Sequence, residues 1–144
     1  MKLDALHDLW AQDQDLDLSQ PDKALRSIPL LHSKWWRIYT DERQRHMLAK
    51  QELAALRHKK FEWYLGRLDP AECKALGWPL QHLRIVRQEV ETYLANDEDL
   101  IPLFAKVDLA EAKLKFIEDV IKHINGRSFQ VNTYVNWLKF SQGS

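Results

Sequence analysis

The sequence predicts a mainly α-helical protein that forms a single domain. From Leu30 to Leu68 it contains no proline and one glycine, and strong helix formers dominate this stretch. Apolar residues also recur at helical spacing near both ends of the chain. A chain of 144 residues fits one compact domain with a real core. We expect three segments: two helices over 1–68, a linker over 69–107 and a helical assembly region over 108–140.

The N-terminal elements are predicted to be a short helix, an acidic linker and a second helix. Leu3, Leu6 and Trp10 have the spacing of an amphipathic helix. After the acidic linker, Pro21 suits the first turn of a new helix. Pro29 is expected to end or kink that helix.

A long helix is predicted over about residues 30–68, stopped by Gly66 and the "RLDP" that follows it. Its length would be about 57 Å at the usual helical rise. The expected radius of gyration of a compact chain of this size is only ~14–15 Å. Residues 41–46, "DERQRH", are polar on every side, which no packed core accepts. We therefore expect the helix to project, or to pack against another subunit.

The middle of the chain predicts less regular structure. "PAECKALGWPLQHL" is interrupted by Pro70, Gly77 and Pro79, which indicates a short helix and turns. Residues 83–94 fit either a strand or a helix, and we favour a strand, so that about 80–95 is an irregular or β segment. The following "NDEDLIP" reads as an acidic turn.

The C-terminal segment predicts a helical hairpin. Asp108 and Glu111 resemble a capping box, and Asn125-Gly126 is a helix stop. Two helices across so short a break favour antiparallel packing. Each helix has one apolar face: Phe116, Ile117, Val120, Ile121 and Ile124 on the first, and Val131, Tyr134, Val135 and Leu138 on the second.

Composition excludes several classes of protein. No apolar run has the ~20 residues of a membrane helix, and the acidic N-terminus is unlike a secretory signal. Cys73 is the only cysteine, which rules out an internal disulfide and indicates a cytoplasmic protein. The motifs GxxxxGK[ST], GxGxxG, HExxH and GxSxG do not occur. We expect no enzymatic activity, no cofactor, no metal site and no membrane partner.

A net charge of zero hides a segregation of charge along the chain. Residues 34–67 hold nine Lys and Arg against four acids, a net of +5. Residues 1–33 have a net charge of −3, and residues 68–144 a net charge of −2. This asymmetry points to a polyanionic partner or to pairing between subunits.

The basic side chains of the long helix predict a ridge beside an apolar seam. Arg43, Lys50, Arg57 and Tyr64 are seven residues apart and form one stripe, with Lys60 and Arg67 within about a quadrant of it. The seam lies about 100° away, and its members are Leu31, Trp35, Ile38, Ala49, Leu53, Leu56 and Trp63. Positive tracks with aromatic rings bind single strands. A purely structural or protein-docking helix fits the same periodicity.

Three stretches carry a resemblance to a known family. "SKWW" (33–36), "LRHKKFEWYLGRLD" (56–69) and "IKHINGRSFQV" (121–131) resemble, in order and spacing, the UvsY recombination mediator family of T-even-like bacteriophages. The resemblance covers roughly residues 30–140. It implies a protein that binds single-stranded DNA and helps load a phage RecA-like recombinase onto strands coated by the single-stranded-DNA-binding protein. It also implies a ring-like homo-oligomer of six or seven subunits that acts in recombination, repair and recombination-dependent replication.

The resemblance also implies roles for individual residues. The family's paired basic positions fall on His58 and Lys60, and His58 departs from the usual lysine, since an imidazole titrates near ~6.5. With Arg57 and Lys59 beside them, the predicted DNA contacts are Arg43, Lys50, Arg57, His58, Lys59, Lys60, Tyr64 and Arg67. The family's C-terminal region drives assembly, which implies that role for the two apolar faces of the hairpin.

Two functions from other classes fit the same residues. The basic helix could serve a non-enzymatic protein–protein adaptor, with DNA binding incidental. The chain could also be a structural assembly protein of a phage particle.

Overall fold

Six α-helices form the computed structural model, which describes residues 1–143. They are α1 (Leu3–Asp13), α2 (Pro21–Tyr64), α3 (Pro70–Leu76), α4 (Val90–Ala95), α5 (Ile101–Asn125) and α6 (Arg127–Ser141). Within these residues there is no β-strand, so the mainly helical fold class is confirmed. The chain divides into two compact units. The first comprises Met1–Gln44 with the described residues from Glu111 onward, and the second is Arg45–Ala110.

The core of the first unit is built from α1, the first half of α2 and most of α5. Leu6, Trp35, Ile117, Val120, Ile121 and Ile124 form its buried cluster. Trp35 is fully buried, and Trp10 meets it edge-on with ring centroids 5.9 Å apart. The aliphatic face predicted for the first helix of the hairpin therefore packs inside this unit.

The core of the second unit is smaller. Ile85, Val90, Leu94 and Leu100 are its buried members, and Leu53, Leu56 and Phe61 of α2 pack against them. Cys73 of α3 is also buried, with its Sγ 4.0 Å from the backbone oxygen of Leu68. The seam predicted along the long helix is confirmed where it can be compared: Trp35 and Ala49 are buried.

The helix α2 begins at Pro21, as predicted, but it also continues through Pro29. Proline inside a helix removes one backbone hydrogen bond and costs ~3 kcal/mol. The carbonyl that loses its partner is that of Leu25, and Leu25 and Pro29 are both exposed, so water can hydrogen-bond to it. The expected break at Pro29 is wrong because packing of the surrounding turns outweighs this cost.

The end of α2 follows from Gly66. This residue has a φ of +73°, a left-handed conformation that glycine adopts without a Cβ clash. The Gly66 N–H donates to the oxygen of Trp63 at 3.0 Å, and the Arg67 N–H to that of Glu62 at 2.8 Å. This pair of bonds is the Schellman motif, so the predicted stop is confirmed.

Two local predictions are wrong. The favoured strand over 83–94 is absent, since the chain is irregular before α4 and Val90 and Leu94 are buried from a single helical turn. The first hairpin helix starts at Ile101, so Asp108 and Glu111 lie inside it and form no capping box. Asp97 caps this start instead: its Oδ1 accepts from the backbone N–H groups of Asp99 and Leu100 at 2.9 and 3.2 Å.

The polar stretch at residues 41–46 contains one buried side chain. Glu42 is only 3% exposed, and Lys113 of α5 lies 3.9 Å from its Oε2. The expectation that no packed environment accepts this stretch is therefore wrong at Glu42, where an opposing lysine balances the charge. Among the described residues, no helix has the length and apolar character that spanning a membrane requires.

Candidate nucleic-acid interface

Most of the predicted DNA contacts lie in the second unit. Lys50, Arg57, His58, Lys59, Lys60 and Tyr64 are on α2, and Arg67 follows its C-terminal end. Arg43 belongs to the first unit and is exposed. The side chains from 57 to 64 meet α3, α4 and the acidic turn before α5, and these neighbours decide which charges face solvent.

Lys60 is a buried cation that binds carboxylates of its own protomer. Its Nζ lies 2.7 Å from Oδ2 of Asp99 and 3.3 Å from Oδ2 of Asp97, and the residue is 5% exposed. The same ammonium lies 4.3 Å from the ring centroid of Trp78 and 5.0 Å from that of Trp63. A charge removed from water requires such partners. Lys60 is thus used inside the fold and presents no free charge to a phosphate.

Tyr64 completes this buried cluster. Its hydroxyl donates to Oδ2 of Asp97 at 2.6 Å. Burial, and then the hydrogen bond to Asp97, raises the pKa of Tyr64 above its usual value. Burial would by itself raise the pKa of Asp97, but the hydrogen bonds from Tyr64 and the Asp99 N–H, with the charge of Lys60, hold it below its usual value. We call Lys60, Tyr64, Asp97 and Asp99 the Lys60 cluster.

Arg57 and Lys59 form weaker ion pairs near the surface. A terminal nitrogen of Arg57 lies 2.5 Å from Oε2 of Glu91, and the two side chains are 40% and 67% exposed. Lys59 Nζ lies 3.5 Å from Oε1 of Glu72, and these side chains are similarly accessible. Exposed pairs of this kind contribute ~0–1 kcal/mol, so a phosphate can replace the carboxylate at little cost.

The other predicted contacts are exposed. Lys50, His58 and Arg67 have accessible side chains, and none of them is in an ion pair within residues 1–143. His58 lies between Arg57 and Lys59 in sequence, so three adjacent residues of α2 offer a histidine and two exchangeable cations. The cationic ridge predicted from spacing therefore separates into an accessible part and a buried part at Lys60 and Tyr64.

The remaining motifs behind the resemblance also hold the fold. In "SKWW", Lys34 Nζ and the indole N–H of Trp35 both donate to Oδ2 of Asp13, at 2.7 and 3.0 Å. In "RSF", the buried guanidinium of Arg127 donates to the backbone oxygen of Asp13 at 2.6 Å. Its burial lowers the pKa of Arg127 from the usual value. Both motifs therefore fasten the end of α1 within the first unit.

The residues predicted to drive assembly are divided between the core and the surface. Ile117, Val120, Ile121 and Ile124 are core members, Phe116 packs against the core beside His7, and Val131 is fully buried. Tyr134, Val135 and Leu138 are half-buried on α6. The core side chains are used within the protomer, which leaves α6 to supply apolar surface for a second copy.

The sequence prediction missed an aromatic face on α6. Phe129, Trp137 and Phe140 are 74%, 59% and 84% exposed. Phe129 and Trp137 also line a shallow apolar depression together with Gln130, Thr133 and Tyr134. A signal was present, because α6 has large apolar residues on both faces, which is typical of a helix covered on two sides. Only the face with β-branched and aliphatic residues was selected.

The partners of Lys60 were missed as well. Asp97 and Asp99 were assigned only to an acidic turn, and Trp78 to a punctuated linker. Opposite charge in the "NDED" stretch was the available signal, but separation in sequence gives no indication of which cation it meets. Among the described residues, no group of three or more His, Cys, Asp and Glu side chains is placed to bind a metal ion.

Comparison with solved structures shows what fold this is. Crystal structures of the recombination mediator protein UvsY of bacteriophage T4 match along almost the whole chain. Lattice type II gives a TM-score of 0.86 at 18% identity, covering 99% of this chain and 98% of that one. Lattice type IV gives 0.84 at 18% identity, covering 97% and 99% respectively. Lattice type I gives 0.83 at 17% identity, with coverage of 95% and 98%.

Comparison with curated protein sequences finds no match. The model of one protein family does match, over residues 9–144, and it is described as "Recombination, repair and ssDNA binding protein UvsY". This range includes all three stretches on which the resemblance rests and both units of the fold. The chain therefore belongs to the UvsY family of recombination, repair and single-stranded-DNA-binding proteins.

Proposed function

We propose that this protein is a recombination mediator that helps load a phage RecA-like recombinase onto strands coated by the single-stranded-DNA-binding protein. The role would serve recombination, repair and recombination-dependent replication, in the cytoplasm of the host cell. Family membership supports single-strand binding. The observation that carries the proposal is the run of accessible charge at Arg57, His58 and Lys59, where two cations are held only by exposed carboxylates.

Exchange of ion pairs is the proposed first step. A DNA phosphate displaces Glu91 from Arg57 and Glu72 from Lys59, and counterions leave the strand as it binds. Because each exposed pair is worth ~0–1 kcal/mol, the protein loses little stability when the exchange occurs. Lys50 and Arg67 extend the same surface in both directions along the chain, whereas the Lys60 cluster supports it from beneath.

Assembly is the proposed source of affinity. One neutral protomer offers few phosphate contacts, but a ring-like homo-oligomer of six or seven subunits would present the surface many times to one strand, and avidity would follow. The exposed aromatic face of α6 supports self-association, since exposed apolar patches of this kind mark interfaces. The mediator would act without catalysis and without a cofactor, by bending the strand away from its coated conformation.

Salt titration tests the DNA-binding part of the proposal. Labelled single strands are titrated at several salt concentrations with the wild type and with the Arg57→Gln/Lys59→Gln variant. Affinity should fall as salt rises, with a slope of about −0.7 per phosphate contact, and the variant should show a shallower slope. Lys23→Gln/Arg26→Gln, which removes two exposed charges of the first unit, is the matched control and should behave as the wild type.

Two outcomes would contradict the proposal. Absence of binding by the wild type even at low salt would exclude a strand-binding function. Unchanged DNA affinity in the Arg57→Gln/Lys59→Gln variant, together with loss of recombinase binding, would favour the adaptor function instead.

A further inference from the structure

The connection between α3 and α4 exposes aliphatic and basic side chains together. Leu76, Leu80, Leu83 and Val86 are 38%, 53%, 65% and 54% exposed. Residues 73–88 also contain Lys74, Arg84 and Arg87 but no acidic residue. We call residues 74–87 the basic aliphatic segment. All of it lies in the second unit.

Two anchors hold this segment against the unit although it lacks regular structure. The indole N–H of Trp63 donates to the backbone oxygen of Pro79 at 2.7 Å. Ile85 is buried in the core of the second unit, at 8% exposure. Between them, the Leu83 N–H donates to Oε1 of Gln81 at 3.1 Å. The exposed leucines are therefore presented on a fixed backbone, which lowers the entropy lost when a partner binds.

The cations of the segment have no partner inside the described chain. Lys74, Arg84 and Arg87 are exposed, and no ion pair within residues 1–143 includes them. By contrast, three of the cations on α2 meet carboxylates of the same unit. The positive charge of the segment is thus available to an external anionic group.

The kind of exposed side chain distinguishes a protein partner from a nucleic acid. Single strands bind where bases can stack on aromatic faces, and the exposed apolar groups here are leucines and a valine. The nearby rings of Trp63 and Trp78 are occupied, since the ammonium of Lys60 lies against both. We propose that the basic aliphatic segment binds an acidic peptide segment of a partner protein, with apolar side chains between its carboxylates.

This inference rests on the proposed mediator function, which requires protein partners, but not on where DNA binds. Apolar side chains of the peptide would cover Leu80 and Leu83, and its carboxylates would pair with Arg84 and Arg87. Charge would speed and orient docking, while aliphatic contact would supply most of the affinity.

A labelled synthetic peptide of about twelve residues, with glutamates and leucines alternating, tests the inference by fluorescence anisotropy. The full-length protein should bind it. Arg84→Glu/Arg87→Glu and Leu80→Ser/Leu83→Ser should each weaken binding by about tenfold or more. Lys23→Glu/Arg26→Glu, which reverses two exposed charges in the first unit, should change the affinity by less than about twofold. Peptides with glutamine for glutamate, or serine for leucine, should bind weakly.

Parallel measurements on the same variants make the outcomes distinct. Strand affinity should be unchanged by Leu80→Ser/Leu83→Ser and fall less than about twofold in Arg84→Glu/Arg87→Glu. Failure of the wild type to bind DNA would defeat the proposed function and leave the peptide result readable by itself. The inference is overturned if the peptide does not bind, if both variants bind it as the wild type does, or if peptide and strand affinities fall together. A smaller oligomer mass in Leu80→Ser/Leu83→Ser would also overturn it, because the segment would then join copies of this chain.

Discussion

At the scale of single residues, Lys60 shows how position changes the use of a charge. It stands in the most basic stretch of the sequence, yet its ammonium is buried against Asp97 and Asp99. Arg57 and Lys59, a few positions earlier, remain accessible. Side chains that look equivalent in the sequence thus divide into a stabilising group and a surface group.

Removing the buried charge should destabilise the fold. We expect Lys60→Met to lower the free energy of unfolding by ~3 kcal/mol, because it leaves Asp97 buried without its cation. Urea unfolding measures the change. Lys50→Met is the control, since Lys50 is exposed, and should stay within ~0.5 kcal/mol of the wild type. Lys60→Met that is as stable as the wild type but defective in DNA binding would contradict the structural role.

Asp97 should make the stability depend on pH. Its folded pKa lies below the usual value, so it stabilises the fold above the unfolded pKa, ~3.9, and this contribution is lost as the pH falls through the folded pKa. At pH 7 we expect Asp97→Asn to be less stable than the wild type. The difference between their urea midpoints should shrink below about pH 4, as the wild-type carboxyl takes up a proton. A difference that stays constant from neutral to acidic pH would exclude this coupling.

At the scale of elements, two glycines at helix ends have different requirements. Gly66 has a positive φ, and a Cβ built on it meets no atom within 4 Å, so alanine there would strain only the backbone. We expect Gly66→Ala to lower the free energy of unfolding by ~1 kcal/mol. Gly126 has a φ of −82°, and its Cβ would lie 3.6 Å from the oxygen of His123, an ordinary contact.

Gly126→Ala is therefore the matched control for Gly66→Ala, and we expect it to be neutral or slightly stabilising in the same thermal or urea unfolding experiment. Equal losses in the two variants would show that conformation does not explain the stop at Gly66.

Helices were predictable from the sequence where local chemistry determines them. Helix-forming composition indicated α2, and Gly66 and Asn125-Gly126 marked helix ends correctly. Pro29 and Pro102 were misjudged as breaks because a local rule cannot include tertiary packing or the tolerance of proline in a first turn. Residues 83–94 were ambiguous because a short apolar pattern fits both periods.

The candidate site was predictable in composition but only partly in geometry. Spacing placed Arg57 and Lys50 on one side of α2, whereas it could not show that acids 37 and 39 residues further on neutralise Lys60. The roles of Lys34 and Arg127 were likewise invisible, because both depend on Asp13 at the end of another helix. Contacts between distant segments require the fold itself.

At the scale of the whole molecule, the exposed face of α6 should control assembly. We expect Phe129→Ser/Trp137→Ser to reduce the oligomer mass measured by light scattering, since truncating aromatic anchors commonly costs 2 kcal/mol or more per interface, by a rough estimate. The fold should tolerate the change because both side chains are largely exposed.

Leu30→Ser is the control for that experiment, because Leu30 is 75% exposed on α2, away from α6 in the sequence. Its oligomer mass should equal that of the wild type. An unchanged mass in Phe129→Ser/Trp137→Ser would mean that other surfaces join the copies.

The motifs that identify the family are mostly structural in this fold. Trp35 and Arg127 fasten α1, Tyr64 joins the buried cluster, and Gly66 ends α2. This explains how the fold can match that of T4 UvsY at 18% identity: a few demanding contacts specify it, while the remaining surface is free to differ.

The burial of Cys73 makes the thiol a built-in reporter. At 3% exposure it is shielded from a maleimide or an aromatic disulfide unless the second unit opens locally. Because it is the only cysteine, the labelling rate follows a single site without any engineered substitution. Comparing that rate with and without a bound strand measures how far binding at α2 suppresses opening of the unit beneath it.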